Sequence, residues 1–482
     1  MNYQLVLRLL GNILRIEAAC LLVPTLFALF TGGPDLTAFC LALLITAAVG
    51  QGLRFIPVSR ARMQARDGFA TVALSWIAMS AFGALPYVFS GAIGDYVGAF
   101  FETVSGFTTT GATVLSSIED LPRATLLWRA MTQWMGGMGV LVFTLAILPS
   151  SGEGSVYLMR AESPGPIKTK LVPRLKDTAK ILYTIYVGLT AAQILCLRLA
   201  GMGWYEAVTH AMTTISTGGF SVKNASIAAY DSLLIHWIFI LFMFLSGVNF
   251  SLLYYAICRQ FKEVFTSEEL RFYTCLAVGS SALVAASLVC QLGQALDGKT
   301  VTDAVFQVVT VMTTTGYATV DYDLWPTFAK MVIVLLMFAG ASAGSTAGGI
   351  KSIRMVLLFK TLRREVRRIL HPREVTIIKA DGHRVKEETL SGVTLFFFAY
   401  VAAVLIGALV VAWDDIGITG AFTASLTCVG NVGPGLAPVG PTGNFGALSA
   451  VSKVVLSANM LLGRLEVLPL LVLLFPSMWK KR

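Results

Sequence analysis

Four short segments of this chain share one grammar, and every reading of the rest has to accommodate them. They are Thr108-Thr109-Thr110-Gly111-Ala112, Ile215-Ser216-Thr217-Gly218-Gly219, Thr313-Thr314-Thr315-Gly316-Tyr317 and, in degenerate form, Thr427-Cys428-Val429-Gly430-Asn431. They recur at intervals of about 100 residues, the mark of an internal repeat. Each follows a semi-apolar run, 302–312 for the third copy, and lies between apolar segments of membrane length.

A bare cation crossing a bilayer must exchange its hydration shell for other oxygens, and four short loops around one axis supply rings of carbonyls. Glycine reaches φ > 0 without steric penalty, so its carbonyl turns where another residue's cannot. Threonine adds a hydroxyl, either as a further ligand or as a bond that holds the loop. One such loop would be an ordinary connection between membrane helices. Four in the same place of a repeated unit point to an ion path.

The chain has 482 residues, 56% hydrophobic and 13% charged, against about 25% charged in soluble proteins. The expected fold is an all-α polytopic membrane protein: four repeated helix–pore loop–helix units around a central pore, plus an N-terminal helix pair. The formal charge of +10 then reports cytoplasmic loops rather than nucleic-acid binding. The cysteines at 20, 40, 196, 258, 275, 290 and 428 form no CxxC pair and read as small apolar residues. The first apolar run reads as a retained span, not a cleaved signal.

The helix pair is expected within residues 1–66, with apolar runs at 16–30 and 36–53 and a basic loop at Arg54, Arg60, Arg62 and Arg66. The units are expected at 67–178, 179–270, 271–386 and 387–482. Their spans read as 68–90 and 128–148, 179–200 and 234–257, 272–293 and 326–358, and 388–412 and 447–474. Residues 95–107 are too short to cross, since crossing takes about 20 residues of helix. They read as a re-entrant half-helix pointing the negative end of its dipole at its loop. Two accessory spans and two per unit, ten in all, place every basic cluster on one side, above all the connector 351–386. That side and both termini are expected in the cytoplasm. The opposite loops hold Asp95, Glu119, Asp120, Asp297, Asp303, Asp321, Asp323, Asp414 and Asp415, which would form a cation-attracting vestibule or be ordinary solvated loop acids.

Aligning the four glycines predicts a layer of Thr109, Ser216, Thr314 and Cys428, a layer of Thr110, Thr217, Thr315 and Val429, and a layer of Gly111, Gly218, Gly316 and Gly430. Only backbone is common to each layer, as carbonyl ligation requires. Cys428 offers no good oxygen, so the hydroxyl layer is expected to be incomplete.

Two further stretches stand out. Gly340, Ser342, Gly344, Ser345, Thr346, Gly348 and Gly349 lie inside what should be the inner helix of unit three. Each interior glycine costs a helix about 1 kcal/mol relative to alanine, so the helix is expected to break. The segment reads as small-residue helix packing or as a loop in the pore acting as a gate. Arg464 lies within the apolar run 447–475, where an arginine costs about 2.5–3.5 kcal/mol and faces the protein interior. It reads as a partner of Glu466 or another acid, and as a positive barrier in the path. Arg129 and His210 read as structural. The chain has no Ser/His/Asp set, no phosphate-cradling GxxxxGK[ST] and no metal-ligand cluster, so it reads as no enzyme and binds no cofactor beyond its ion.

These motifs also carry a resemblance. Residues 134–139, Arg160–Pro166, 246–250, 343–351 and Gly463-Arg464-Leu465-Glu466 are similar to motifs of the TrkH/KtrB/HKT superfamily of cation transporters, and the N-terminal pair to its TrkH branch. The resemblance implies a homodimer in the bacterial inner membrane, one pore per subunit, carrying K+ inward. It implies a cytosolic ring of TrkA-type subunits, binding ATP, ADP or NAD, docked on the basic face, where membrane lipid is the other candidate partner. It assigns residues 340–350 as the gate, Arg464 as the charge opposing it, and the loop residues above as the K+ filter. Gly111, where some plant relatives have serine, favours K+ over Na+. Ala347 departs from the glycine common in the family. Na+- or H+-coupled symport stands as the alternative mechanism.

Overall fold

A computed structural model describes residues 1–58, 64–139, 175–374 and 376–467, with scattered positions of 470–479. The described chain is helical apart from a two-stranded hairpin, β1 (Lys379–Ala380) and β2 (His383–Arg384). The loop 150–174, with the Arg160–Pro166 motif, lies outside the described residues, as do Arg60 and Arg62.

Helices α1 (Tyr3–Thr31) and α2 (Leu36–Arg54) pack as a hairpin that turns at Gly32, whose φ is 65°. Lipid tails are as apolar as leucine, so membrane helices associate through close approach and hydrogen bonds rather than hydrophobic burial. Gly11 shows the consequence: a Cβ there would lie 2.8 Å from the carbonyl oxygen of Gly50.

Four units follow. The first is α3 (Ala65–Gly83) with α4 (Leu85–Phe89), then α5 (Tyr96–Phe107) and α6 (Arg123–Gly137). The second is α7 (Leu175–Leu199), α8 (Trp204–Ile215), α9 (Leu233–Ser246) and α10 (Phe250–Ile257). The third is α11 (Glu268–Leu292), α12 (Gly298–Met312), α13 (Thr327–Phe338) and α14 (Ser352–Leu370). The fourth is α15 (Glu387–Val411), α16 (Gly417–Gly430) and α17 (Ala450–Arg464).

Helices α5, α8, α12 and α16 are the half-helices, 12 to 15 residues long. Two start on aspartate caps: Asp95 accepts from the Gly98 N–H at 2.6 Å and Asp297 from the Thr300 N–H at 2.8 Å. That bond holds the Asp297 carboxyl below its ordinary pKa. The half-helices are buried in the centre, where Phe101, Phe107 and Trp128 form one core and Val308, Met312, Leu426 and Val429 another. The long helices surround them and present Leu44, Leu241, Leu283 and Leu409 outward.

Ten spans were expected, with the inner helix of unit three broken. Among the described residues six helices are long and apolar enough to cross a membrane, and the pair α9 and α10, bent by 102°, makes at most a seventh. The shortfall lies in the second helix of each unit. Helix α6 ends at Gly137 and α9 at Ser246, α13 stops before Gly340, and α17 stops at Arg464. The remainder of the span expected at 128–148 lies outside the described residues.

The breaks sit beneath the ends of the half-helices. A Cβ on Gly136 would lie 1.8 Å from the carbonyl oxygen of Phe107, and one on Gly463 would lie 1.9 Å from that of Val429. Glycine is required there because backbone meets backbone. Gly136→Ala and Gly463→Ala should therefore lower the melting temperature and the monodisperse yield of detergent-purified protein. Gly188→Ala and Gly279→Ala, with nothing within 4 Å, should be neutral or add up to about 1 kcal/mol from helix propensity.

Candidate functional site

Each half-helix ends in the same turn. The Thr109 N–H donates to Gly106 O at 3.0 Å and the Thr110 N–H to Ser105 O at 2.9 Å. Thr217 and Gly218 bond back to Thr214 and Thr213, and Thr314 and Thr315 to Val311 and Thr310. In unit four, Asn431 and Val432 bond to Cys428 and Thr427. This is the paired closure of helix ends whose residue after the cap turns left-handed. The left-handed residues are Thr109, Thr217, Thr314 and Asn431, at φ 53 to 56°. Three are β-branched, and a bulky residue there is strained by about 1–3 kcal/mol. The same strain at three matched positions marks a backbone held for a purpose.

The turns correct the predicted register. Alignment on the glycines placed unit two one residue early and unit four three residues early. The φ pattern instead matches Thr109 with Thr217, Thr314 and Asn431; Thr110 with Gly218, Thr315 and Val432; and Gly111 with Gly219, Gly316 and Gly433, at φ 76 to 103°. Ser216 is a helix cap. Cys428 and Val429 lie in the last turn of α16, and Gly430 ends that helix. The reason is conformational: Gly218 and Gly430 are not left-handed, whereas Gly219, Gly433 and Asn431 are. The incomplete hydroxyl layer expected at Cys428 therefore does not arise there. The hydroxyls of Thr109 and Thr217 donate to the preceding carbonyls at 2.7 and 2.6 Å, so they hold the turn.

The four turns close into a ring. A Cβ on Gly111 would lie 2.3 Å from Gly218 O, one on Gly219 1.9 Å from Thr315 O, one on Gly316 2.2 Å from Val432 O, and one on Gly433 2.6 Å from Thr110 O. Each glycine thus backs onto the carbonyl of the next turn, from unit one to two, three, four and back to one.

Side chains brace the ring from behind. Glu102, buried in α5, accepts from the Thr113 hydroxyl at 3.0 Å, the Val114 N–H at 2.9 Å and Arg129 Nε at 2.7 Å. Arg129 also donates to Ser221 O at 3.0 Å and covers the Phe220 ring, tying loop one to loop two. His210 stands where unit two matches Glu102, and its Nε2 meets Ser221 Oγ at 3.0 Å. Gln307 matches it in unit three and donates to Thr319 Oγ1 at 3.4 Å. Gln133 bridges Gly218 O and the Phe220 N–H. Asn431 Nδ2 joins loop four to Thr110 Oγ1 at 3.0 Å.

Outside the ring is a mouth cavity of about 160 Å³ lined by Gly111, Gly219, Gly316 and Gly433. No carboxylate lines it. Most of the predicted vestibule acids bond locally instead: Glu119 to Asn224, Asp120 to Ser117, Asp303 to Thr319, Asp321 to Thr442, Asp323 to Ala437 and Asp414 to Ser449.

Inside the ring lies the expected break of unit three. Residues 339–351 form a loop, with Gly340 N–H donating to Ile350 O at 2.9 Å. Ser342 N–H donates to Gly247 O, Phe250 N–H donates to Gly344 O, and Ser345 Oγ donates to Ser342 O. The loop touches the turns of units two and three. The Gly348 N–H donates to Thr314 Oγ1 at 2.7 Å, and Thr346 Oγ1 donates to Ile215 O at 3.0 Å. Gly344 and Gly349 are left-handed, and Gly340 packs on the Gly348 carbonyl.

Arg464 reaches this loop. Its Nη1 donates to Thr346 O at 2.8 Å, and its Nη2 donates to Gly136 O and Gly137 O at 2.6 and 2.8 Å. Glu466 pairs with Arg354. A cavity of about 110 Å³ below is lined by Trp76, Gly348, Lys351, Arg464 and Glu466 among others. Among the described residues no group of three or more His, Cys, Asp or Glu side chains is placed to hold a metal.

Reading the sequence missed the ends of α6 and α9 as breaks, although Gly136-Gly137 and Gly247 signal them. It also missed Glu102 and Gln307, each five places before the end of its half-helix; His210, read as structural, stands at the matching place in the second. Removing one member of a buried ion pair strands the other, at about 3–5 kcal/mol. Arg129→Met should therefore lower thermal stability by about that amount in detergent, and adding Glu102→Gln should restore part of it.

Comparison with known proteins agrees with this architecture. The family described as "TrkH: Cation transport protein" matches residues 36–481. The "Trk system potassium uptake protein TrkH" of Salmonella typhimurium is 38% identical over the whole of both chains. The protein of that name from Halomonas elongata is 37% identical, again over both whole chains, and TrkG of Escherichia coli is 34% identical over 99% of each. The crystal structure of the potassium transporter TrkH from Vibrio parahaemolyticus aligns with a TM-score of 0.89 at 32% identity over all of both chains. With the match running through nearly every helix described above, this chain belongs to the TrkH family of cation transport proteins.

Proposed function

We propose that this chain carries K+ inward across the bacterial inner membrane through a channel-like path along the axis of its four turns. The observation that carries the reading is the closed cycle in which Gly111, Gly219, Gly316 and Gly433 each back onto the carbonyl of the next turn. Such a cycle brings one carbonyl from each unit around a common axis, where they replace water around a monovalent ion. The C-terminal ends of four half-helices converge there and add negative potential. The names of the relatives, which are potassium uptake proteins, support K+ as the ion.

In this reading the filter residues are Thr109 to Gly111, Thr217 to Gly219, Thr314 to Gly316 and Asn431 to Gly433. The loop 339–351 is the gate, and Arg464 fastens it to the end of α6. A cation about 4 Å from the guanidinium would meet about 4 kcal/mol of repulsion at an effective dielectric of 20, so conduction requires the arginine and loop to move together. Both termini and the connector 351–386 face the cytoplasm. There a ring of nucleotide-binding TrkA-type subunits docks, and the transporter works as a homodimer with one pore in each subunit. The basic row of Lys360, Arg363, Arg364, Arg367 and Arg368 on α14 supports that orientation.

Radioactive Rb+ uptake into vesicles holding the purified protein tests the reading. Gly316→Ser puts a side chain where φ is 84° and Val432 O is 2.2 Å away. It should erode K+/Na+ discrimination, and unchanged discrimination would count against the ring. Arg464→Ala, and separately deletion of 342–348, should raise uptake in the absence of a cytosolic partner by about tenfold, equivalent to about 1.4 kcal/mol. No rise in either would remove them from the gate.

A further inference from the structure

The loop 339–351 has a second attachment, at its cytoplasmic edge. Glu269 stands in the first turn of α11 and is 6% exposed. Its Oε1 accepts from two backbone N–H groups, Ala343 at 2.7 Å and Ile353 at 3.0 Å. Ala343 lies within the loop, and Ile353 lies in the first turn of α14, just after the chain leaves it. One carboxylate oxygen therefore ties the body of the loop to its exit. Both N–H groups belong to backbone that no helix or strand satisfies, and bonds to a charged acceptor are about twice as strong as neutral ones.

The preceding residue faces the other way. The Glu268 carboxylate pairs with Lys360 of α14, whose Nζ also donates to Lys379 O at 2.7 Å. The Glu268 N–H donates to Asp381 Oδ1 at 2.7 Å, at the tip of the β1–β2 hairpin. Between the hairpin and the segment 249–271 lies an open cleft of about 760 Å³ whose wall includes Glu268, Glu269, Asp381 and Arg384. Adjacent residues of one helical turn thus grip the hairpin outside and the loop inside.

We infer that Glu269 is a positioning residue of the gate, and that the Glu268–Glu269 step links the hairpin 379–384 to the ion path. The inference rests on loop 339–351 being the gate. A force that lifts the hairpin acts on the N-terminus of α11, and through Glu269 on the body of the loop and on its exit at once. The loop has no other side-chain carboxylate bond of this kind among the described residues.

The test compares Glu269→Ala, Glu269→Gln, Asp381→Ala and Arg464→Ala in full-length protein in vesicles. Rb+ uptake is measured per folded molecule, and amide hydrogen exchange across 339–353 by mass spectrometry. Glu269→Ala should raise uptake without a cytosolic partner by about tenfold, with K+/Na+ discrimination unchanged, and speed exchange at Ala343 and Ile353. Glu269→Gln keeps an acceptor oxygen but loses the charge, and should give a rise of about two- to threefold. Asp381→Ala should move uptake the same way by less. A residue that only stabilises the fold would change the folded yield and leave uptake per folded molecule alone. Unchanged uptake in both Glu269 variants, with Arg464→Ala raising it, overturns the inference and leaves the gate standing. No rise in any variant, Arg464→Ala included, overturns the gate and the inference with it. If Glu269→Ala does not fold, wild-type exchange rates at Ala343 and Ile353 in Glu269→Gln are enough to overturn it.

Discussion

A carbonyl can approach a neighbouring loop as closely as those of Thr110, Gly218, Thr315 and Val432 do only where that loop has no side chain. The four left-handed glycines answer this constraint, and much of the surrounding structure keeps them in place. The strained threonines before them are held by doubly bonded helix ends. The loops after them are clamped by Glu102, His210 and Gln307 from within the half-helices. None of these clamps needs to touch an ion. They hold the four turns, and the carbonyls that back onto the glycines, in place.

The broken inner helices follow from the same centre. Half-helices that stop at mid-depth leave their last carbonyls without helical partners, and in a bilayer each such group costs several kcal/mol unless something donates to it. The second helix of each unit ends just beneath, adding more open carbonyls. Arg464 and Thr346 donate to several of them, Gly136, Gly137 and Ile215, and Arg464 also donates to the loop carbonyl of Thr346. The arginine is therefore both a charge and a plug for backbone acceptors. This explains why Glu466, two residues away, is free to pair with Arg354. The sequence suggested an ion pair, a barrier or both. The geometry binds the guanidinium to peptide dipoles and pairs Glu466 with Arg354.

Much of this was legible before any coordinates. The half-helices were too short to cross, the glycine run of unit three had to break its helix, and the repeat implied one axis. What was misread has a common cause. Glycine was treated as the anchor of each turn, although the turn is defined by the residue two places before it, which must itself be left-handed. In units one and three the two criteria coincide. In unit two the doubled Gly218-Gly219 hid the offset, and in unit four Gly430 drew attention from Asn431, a residue type that tolerates that conformation well. For the acids of the outer loops the sequence left two readings open. Composition says where they lie, but not that neighbouring N–H and hydroxyl groups already occupy Glu119, Asp303, Asp323 and Asp414.

Glu102, His210, Gln307 and Ala424 occupy the same place in the four half-helices, yet they share neither charge nor size. A tetramer of identical chains has no such liberty, because every substitution appears in quadruplicate. Joining the quadrants covalently let each one drift into its own trade. One carries a salt-bridged brace, another an imidazole, a third the interrupted helix, and the last the arginine that meets it. Because one chain carries all four quadrants, a residue such as Arg464 can stand in one of them without a counterpart in the other three.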